Sequence, residues 1–573
     1  MLHLSSKQLR RAIVMSCLLV PFLESGVLAA PPDAGQILRG QQPQRQIPQL
    51  KSLPERERVE EYQPSGSGVR ILVKGYRFTG FEALASESEL LSQVADTIGK
   101  ELNDGDLNAQ LKRVDTLLRK KGWFLAESYL PEQDVSSGII EISLSKNISD
   151  GSMTFSRQKN ARISKEVLAG IGEDAVKSGY AINERQLERS LLIMNELPGV
   201  TAFAQLATGN VPGSTGVAVE VSEGALLSGG AWADNYGNYY TGQWRTSALV
   251  NINDPSGRGD QISVAGSVSD GFREGKIAYS HPLGSSGLKG ALIYSPMSFE
   301  MGKEISDLKI KGQSQSVNAG LSYPLVRSRL SNITLTAGYE YKLLSDSIWG
   351  LELHDRSLNS CSIGLKGYFY DKLLGGGYNT WNANVTNGMS NERLLYITKS
   401  GIQGSYMHAN LGLDRLQQVT DGVTLNVAWT AQFSPGNLDS SERFYLGGPF
   451  GVRAYPVGEA SGDAGHLLNV DLSIKLPVPN NYGTLMLGGF YDAGRITTHI
   501  NPWPFSILTD TGKNSYWLQG AGLELSYFKT DLFSIKSCWA HVIGENSGRD
   551  GWGRNADGKK DNDRFWLIAA LYF

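Results

Sequence analysis

Cysteine is scarce, and its placement excludes two kinds of site. There are three cysteines in 573 residues. Cys17 lies in an N-terminal leader, and Cys361 and Cys538 stand on separate strand-like segments far apart in the chain. That spacing gives neither a disulfide framework nor a metal-ligand set. The seven histidines are scattered, with no His-Glu-x-x-His, and no Gly-x-Ser-x-Gly occurs. No nucleotide-binding loop stands out either, so the reading carries no cofactor, no metal and no catalytic residue, and an outer-membrane hydrolase is disfavoured. Charge of one sign is also lacking. Lys+Arg number 54 against 57 Asp+Glu, a net of -3, which argues against nucleic acid as a partner. Beyond the leader no apolar run is long enough to cross a bilayer as a helix.

What is present points elsewhere. Glycine numbers 66, tyrosine 24 and tryptophan 11, in a chain only 41% hydrophobic. Abundant glycine and aromatics without long apolar runs suit a transmembrane β-barrel, whose strands are each only half apolar. The length predicts several units. Residues 1–29 read as a signal peptide: Lys7, Arg10 and Arg11 precede the apolar stretch Ala12 to Leu23, and Val27-Leu28-Ala29 resembles a cleavage site. Pro31 to Arg39 could form a short helix headed by prolines, placed at 30–42. Residues 43–67, rich in Pro, Gln and alternating charge, read as an extended linker.

Two α+β modules follow, at 68–147 and 148–223. In the first, Val69 to Phe78 predicts a strand and Ser86 to Ile98 a helix. Asp106 is a plausible N-cap for a helix carrying Leu107, Leu111, Val114 and Leu118 on one face, ended by Gly122. Trp123 to Leu130 then reads as a strand, and Ile140, Ile142 and Leu144 alternate in another. The β-α-α-β-β order recurs in the second module, with helices from Ser164 and Asn183.

From about Ala225 only period-2 patterns remain, about sixteen strands as an even-numbered bacterial barrel requires. A large soluble β-sandwich or propeller is the alternative. Val423 to Phe433 alternates apolar and polar residues, and Leu468, Val470, Leu472 and Ile474 alternate with Asn469, Asp471 and Ser473. Between these strands lies a loop of about thirty residues, too long for a plain hairpin, containing Leu446-Gly-Gly-Pro-Phe-Gly-Val-Arg453-Ala-Tyr-Pro456. On the next strand, Gly489-Phe490-Tyr491-Asp492-Ala493-Gly494, parity turns Phe490 and Asp492 toward the lumen. Pattern alone favours an exposed loop arginine and a separate strand-end carboxylate over a contact between the two. The acidic stretch Asp557 to Asp563 misses calcium-loop spacing and reads as a solvated loop.

The modules resemble POTRA domains. Trp123 to Ile140, with Tyr129-Leu-Pro-Glu-Gln-Asp134, is similar to the first POTRA of two-partner secretion transporters of the ShlB/FhaC type. Leu446 to Tyr455 is similar to that family's loop motif, and Phe490-x-Asp492-x-Gly494 to its barrel motif; Ala454 stands where many relatives carry glycine. The resemblance implies a sixteen-stranded antiparallel β-barrel at 224–573 in the outer membrane of a Gram-negative bacterium, preceded by two periplasmic POTRA domains and an N-terminal plug helix. It implies that the loop at 434–465 folds inward, with Gly448, Val452, Arg453, Ala454 and Tyr455 as its motif and Phe490, Asp492 and Gly494 as the wall partner. It further implies export of an unfolded partner exoprotein without ATP, captured by the POTRA modules. Trp123, Phe124, Leu125, Tyr129 and Leu130 are the candidate edge for capture, since an extended substrate can add a strand to a free sheet edge. Phe573 is read as the terminal assembly signal for the barrel-assembly machinery, with periplasmic chaperones, outer-membrane lipid and lipopolysaccharide as further partners. A barrel-insertion factor and a passive porin are the competing readings.

Overall fold

A computed structural model describes residues 32–40, 70–211, 214–392, 404–504, 506–507 and 509–573. The signal peptide at 1–29 and the linker at 43–67 lie outside the described residues, as do the ends of the segment assigned to the N-terminal helix.

Sixteen antiparallel strands, from Leu227–Asp234 to Asp563–Tyr572, form a closed barrel in which each pairs with its sequence neighbour. The circle closes where Ile568 to Tyr572 pair with Asp234 to Gly230. Closure removes the unpaired edges that hydrocarbon could not satisfy. The alternation read from the sequence becomes two faces. Leu487, Tyr491, Trp517, Leu523, Ile535, Trp539 and Leu571 point outward and are exposed, whereas Phe490, Asp492 and Leu518 on intervening positions are buried in the lumen.

The first module holds β1 (Ile71–Leu72), β2 (Gly75–Thr79), α2 (Glu87–Val94), β3 (Glu101–Leu102), α3 (Asp104–Lys120), β4 (Glu127–Tyr129) and β5 (Ile139–Ser145); α1 is the N-terminal helix Ala34–Gly40. Its sheet runs β2-β5-β4, with β2 parallel and β4 antiparallel to β5. The second module, β6 (Ser149–Arg157), α4 (Lys165–Gly172), α5 (Glu184–Met194), β7 (Val200–Thr208) and β8 (Thr215–Glu223), repeats the plan as β6-β8-β7.

Local chemistry sets the helix starts. Ser86 caps α2 and Glu89 reciprocates in a capping box. Glu89 also accepts from Lys121, and that bond first, then the Ser86 groups, holds its carboxyl down to about 2. Asn103, not Asp106, caps α3; Asp106 sits three residues in and bonds back to the Asn103 N–H. The strand expected over Trp123 to Leu130 is confined to Glu127–Tyr129. Gly122, at φ 90°, turns the chain sharply, and the Trp123 indole N–H donates to the Leu84 carbonyl inside the first core.

The second module docks on the barrel's turns. Glu196 accepts from Lys289 and Arg327, Ser164 N–H donates to Gly257 O, and Glu188 pairs with Arg329. The stretch Asp557 to Asp563 is not a simple solvated loop: Asp557 is buried and accepts from Arg564 at 2.5 Å. The loop carrying it packs onto the inward segment, where Glu459 accepts from Asn546 Nδ2 and Ala556 N, both at 2.6 Å.

Candidate functional site: a luminal loop and helix

Between Phe433 and Ala464 the chain leaves the wall and folds into the lumen. Glycine makes its tight path possible. Gly448 is at φ 110°, and a Cβ on Gly451 would stand 1.8 Å from Leu446 O. Val452, Ala454 and Tyr455 are buried within a cluster that includes Phe490, Leu518 and Trp566 of the wall. Gly494 leaves room for Leu446, whose Cδ2 would lie 2.5 Å from an added Cβ. Ala454 is accommodated in the same way: a Cβ on Gly520 would meet its methyl at 2.5 Å. A small wall residue therefore faces the larger loop residue.

Arg453 and Asp492 meet, and not as an isolated pair. Arg453 Nε donates to Asp492 Oδ2 at 2.9 Å and Nη2 to Oδ1 at 2.7 Å, a bidentate fork, while the Arg453 backbone N–H also donates to Oδ2. Nη2 reaches Asp471 at 2.6 Å and Nη1 reaches Glu524 at 3.2 Å. The guanidinium carbon stands 3.5 Å over the Phe490 ring centroid, a cation–π contact strengthened by exclusion of water. Asn469 Nδ2 bridges Asp492 Oδ1 and Gly451 O, and the Trp566 indole N–H donates to Arg453 O at 2.7 Å.

Asp471, Glu524, Asn469 and Trp566 lie outside the two sequence motifs. The signal was available for Asp471 and Asn469, which alternate onto the polar face of their strand. Because Arg453 faces three carboxylates, exchanging charges with Asp492 should not restore the contact. Arg453→Asp with Asp492→Arg leaves the new aspartate beside Asp471 and Glu524, a like-charge cluster. The loop of the double variant is expected to be as open to protease as in either single variant; wild-type protection would mean that Asp471 and Glu524 do not contribute.

The rest of the loop is fixed by further buried charge. Lys342 donates to Glu442 at 2.7 Å, His408 Nε2 lies 3.1 Å from the same carboxylate, and Arg443 pairs with Asp463. Helix α1 lies against this loop and the wall. Ala34, Ile37 and Leu38 pack with Phe272, Met297, Phe299, Leu344 and Leu438. Arg356 on the wall binds Asp33 before the helix, Asp346 on the neighbouring strand and Asp439 of the loop at 3.2, 3.1 and 2.9 Å. Among the described residues no cluster could hold a metal ion.

The candidate edge residues separate. Tyr129 lies on the exposed edge strand β4 and Leu130 packs into the first core, whereas Phe124 and Leu125 pack against the second module's core. Trp123, Phe124 and Leu125 are therefore not an edge: as large apolar side chains following a helix end, they are drawn into the two cores and the joint between them. Phe573 is exposed outside the barrel, exchanging backbone hydrogen bonds with Gly229.

Comparison with known proteins places this architecture. The family described as haemolysin secretion/activation protein ShlB/FhaC/HecB matches residues 213–506, and the ShlB-type POTRA domain matches residues 71–146. The heme/hemopexin transporter protein HuxB of Haemophilus influenzae is 25% identical over 486 residues, 84% of this chain and 83% of the relative. The outer membrane transporter CdiB of Escherichia coli is 24% identical over 446 residues, covering 75% of this chain and 72% of the relative. The solved structure of CdiB from Escherichia coli superposes with a TM-score of 0.74 at 22% identity, over 90% of this chain and 93% of that one. The chain belongs to the ShlB/FhaC/HecB family of two-partner secretion transporters, with its barrel in the outer membrane and its POTRA modules in the periplasm.

Proposed function

We propose that the protein is the translocation pore for one partner exoprotein of the secreted TpsA type, which it captures unfolded through its POTRA modules and passes to the cell surface without ATP. The observation that carries this reading is the luminal assembly. A sixteen-stranded barrel is wide enough for an aqueous channel, yet here its bore holds a helix and a loop that bond to each other directly, Ser440 Oγ to Asp33 and Arg39 Nε to Arg443 O, and share Arg356 of the wall. A passive porin has no use for two periplasmic modules docked at its mouth. HuxB is named for heme/hemopexin transport; in this chain the cargo is read as a haemolysin-like or adhesin-like polypeptide.

Arg453 and its carboxylates act here as the anchor of the loop against the wall. Folding of the cargo outside supplies the drive, since the outer membrane offers no nucleotide. Proteoliposomes carrying the purified chain, with a TpsA-type exoprotein added unfolded and no nucleotide present, should accumulate protease-protected cargo. Protection that appears only when ATP and a second protein are supplied would overturn the reading.

A further inference from the structure

We infer that cargo adds as a strand to the second POTRA module, along β7 from Ala204 to Thr208, and that Asn195 sets where that addition starts. This rests on the reading of the POTRA modules as the capture device. In each module the antiparallel edge strand is the one beside the second helix: β4 beside α3, and β7 beside α5. Both edges carry a side-chain cap from that helical segment, and the caps leave different lengths open.

In the first module Asp115 of α3 accepts the Ser128 backbone N–H at 2.7 Å. Since β4 is only Glu127–Tyr129, that bond occupies the one central residue of the edge. In the second module Asn195, just after α5, behaves as a one-residue strand. Its Oδ1 accepts the Ala202 N–H at 3.0 Å and its Nδ2 donates to Ala202 O at 2.9 Å. Ala202 opposes Val221 on β8, and Val221 O accepts from Gln158 on the far side. Ala202 and Val221 thus form a pair with no mutual hydrogen bonds, and the Ala202 groups face the free edge.

Pairing between β7 and β8 continues without a bulge to Thr208. Ala204, Leu206 and Thr208 therefore present their N–H and C=O groups outward as Ala202 does. At the start of this edge lies a groove lined by Leu191, Leu192, Asn195, Ala202, Phe203 and Ala204, with Glu188 and Arg329 of a barrel turn also lining it. Phe203 and Leu206 are exposed. The groove is continuous with the docked face between module and barrel, where Glu188 pairs with Arg329. That continuity selects the occupant: an extended segment of the cargo on its way into the channel, with an apolar side chain entering the groove beside Ala204. Its backbone hydrogen bonds start at Ala204, since Asn195 already fills the position before.

The test uses the full chain in detergent micelles and a short synthetic peptide of alternating valine and threonine. Hydrogen exchange in wild type should show the Ala202 amide protected without peptide, and the Ala204, Leu206 and Thr208 amides protected only with it. In Asn195→Ala the Ala202 amide should exchange freely and then become protected by peptide. The longer footprint adds two backbone hydrogen bonds, giving roughly tenfold tighter binding. Asn195→Asp keeps the acceptor and loses the donor, so its Ala202 amide should stay protected and the footprint should not lengthen. Unchanged protection at Val219 reports that the module remains folded in each variant. A peptide that protects none of Ala204, Leu206 and Thr208 would overturn strand addition at β7. Peptide protection there with the same affinity and footprint in Asn195→Ala as in wild type would overturn the role of Asn195 alone.

Discussion

Arg453→Ala is expected to lower surface delivery of the partner exoprotein by about a hundredfold or more while the barrel still inserts. The substitution leaves Asp492 fully buried without its bidentate donor, and removing one member of a buried ion pair costs about 3–5 kcal/mol. Each 1.4 kcal/mol is a tenfold shift, so the loop's docked state loses its preference over undocked alternatives by about two orders of magnitude or more. Asp471 and Glu524 lose the same cation, although Glu524 keeps Lys536 at 2.8 Å. Phe490 loses the charge stacked on its ring. The strand ladder is untouched, because no barrel pairing runs through residue 453.

The measurement is immunodetection of exoprotein on intact cells, with heat-modifiable migration of the transporter as the check on insertion. Arg453→Lys should restore little: an ammonium is a point charge that cannot make the planar fork to Asp492 while reaching Asp471 and Glu524. Wild-type delivery by Arg453→Ala would remove the anchor role.

Much of this architecture is legible in the sequence because a membrane barrel imposes a strict period of two. Tyr491 and Asp492 are neighbours, yet one is exposed and the other fully buried, as parity requires. The same rule put Asp471 on the polar face. What parity cannot supply is distance across the bore. Nothing in the local pattern says that residue 453 returns to meet residues 471, 492 and 524, since that depends on closure of the whole sheet and on glycines at 448 and 451 turning the loop inward. The resemblance supplied the Asp492 contact, but not the three-carboxylate cage.

The capture edge shows the opposite failure. Trp123, Phe124 and Leu125 have a strand's apolar content, but Gly122 turns the chain and the aromatics fill cores on both sides of the joint. Hydrophobicity there reports burial between modules, not an open edge. The real edge difference, Asp115 against Asn195, lies in single side-chain bonds to backbone that carry no periodic signature.

Deleting residues 32–40 is expected to raise single-channel conductance in planar bilayers at least about twofold, because a helix with its side chains is about 10–12 Å across and fills much of the bore beside the loop. The helix is held on three sides. Ala34, Ile37 and Leu38 are buried against the wall and loop, the Ala34 N–H donates to Asp346 at 2.8 Å, and Asp33 meets Arg356. Its fit is close: a Cβ on Gly35 would stand 2.3 Å from Ser440 Oγ and 2.5 Å from Ser441 N, so Gly35→Val should open the channel as the deletion does. Arg356 keeps Asp346 and Asp439 when Asp33 is gone, so the loop stays docked and the deleted protein remains a restricted pore. Arg356→Ala removes the shared node from helix and loop together and should give the larger, more fluctuating conductance of the two. If the deletion and Gly35→Val both conduct as wild type does, α1 does not occlude the resting channel.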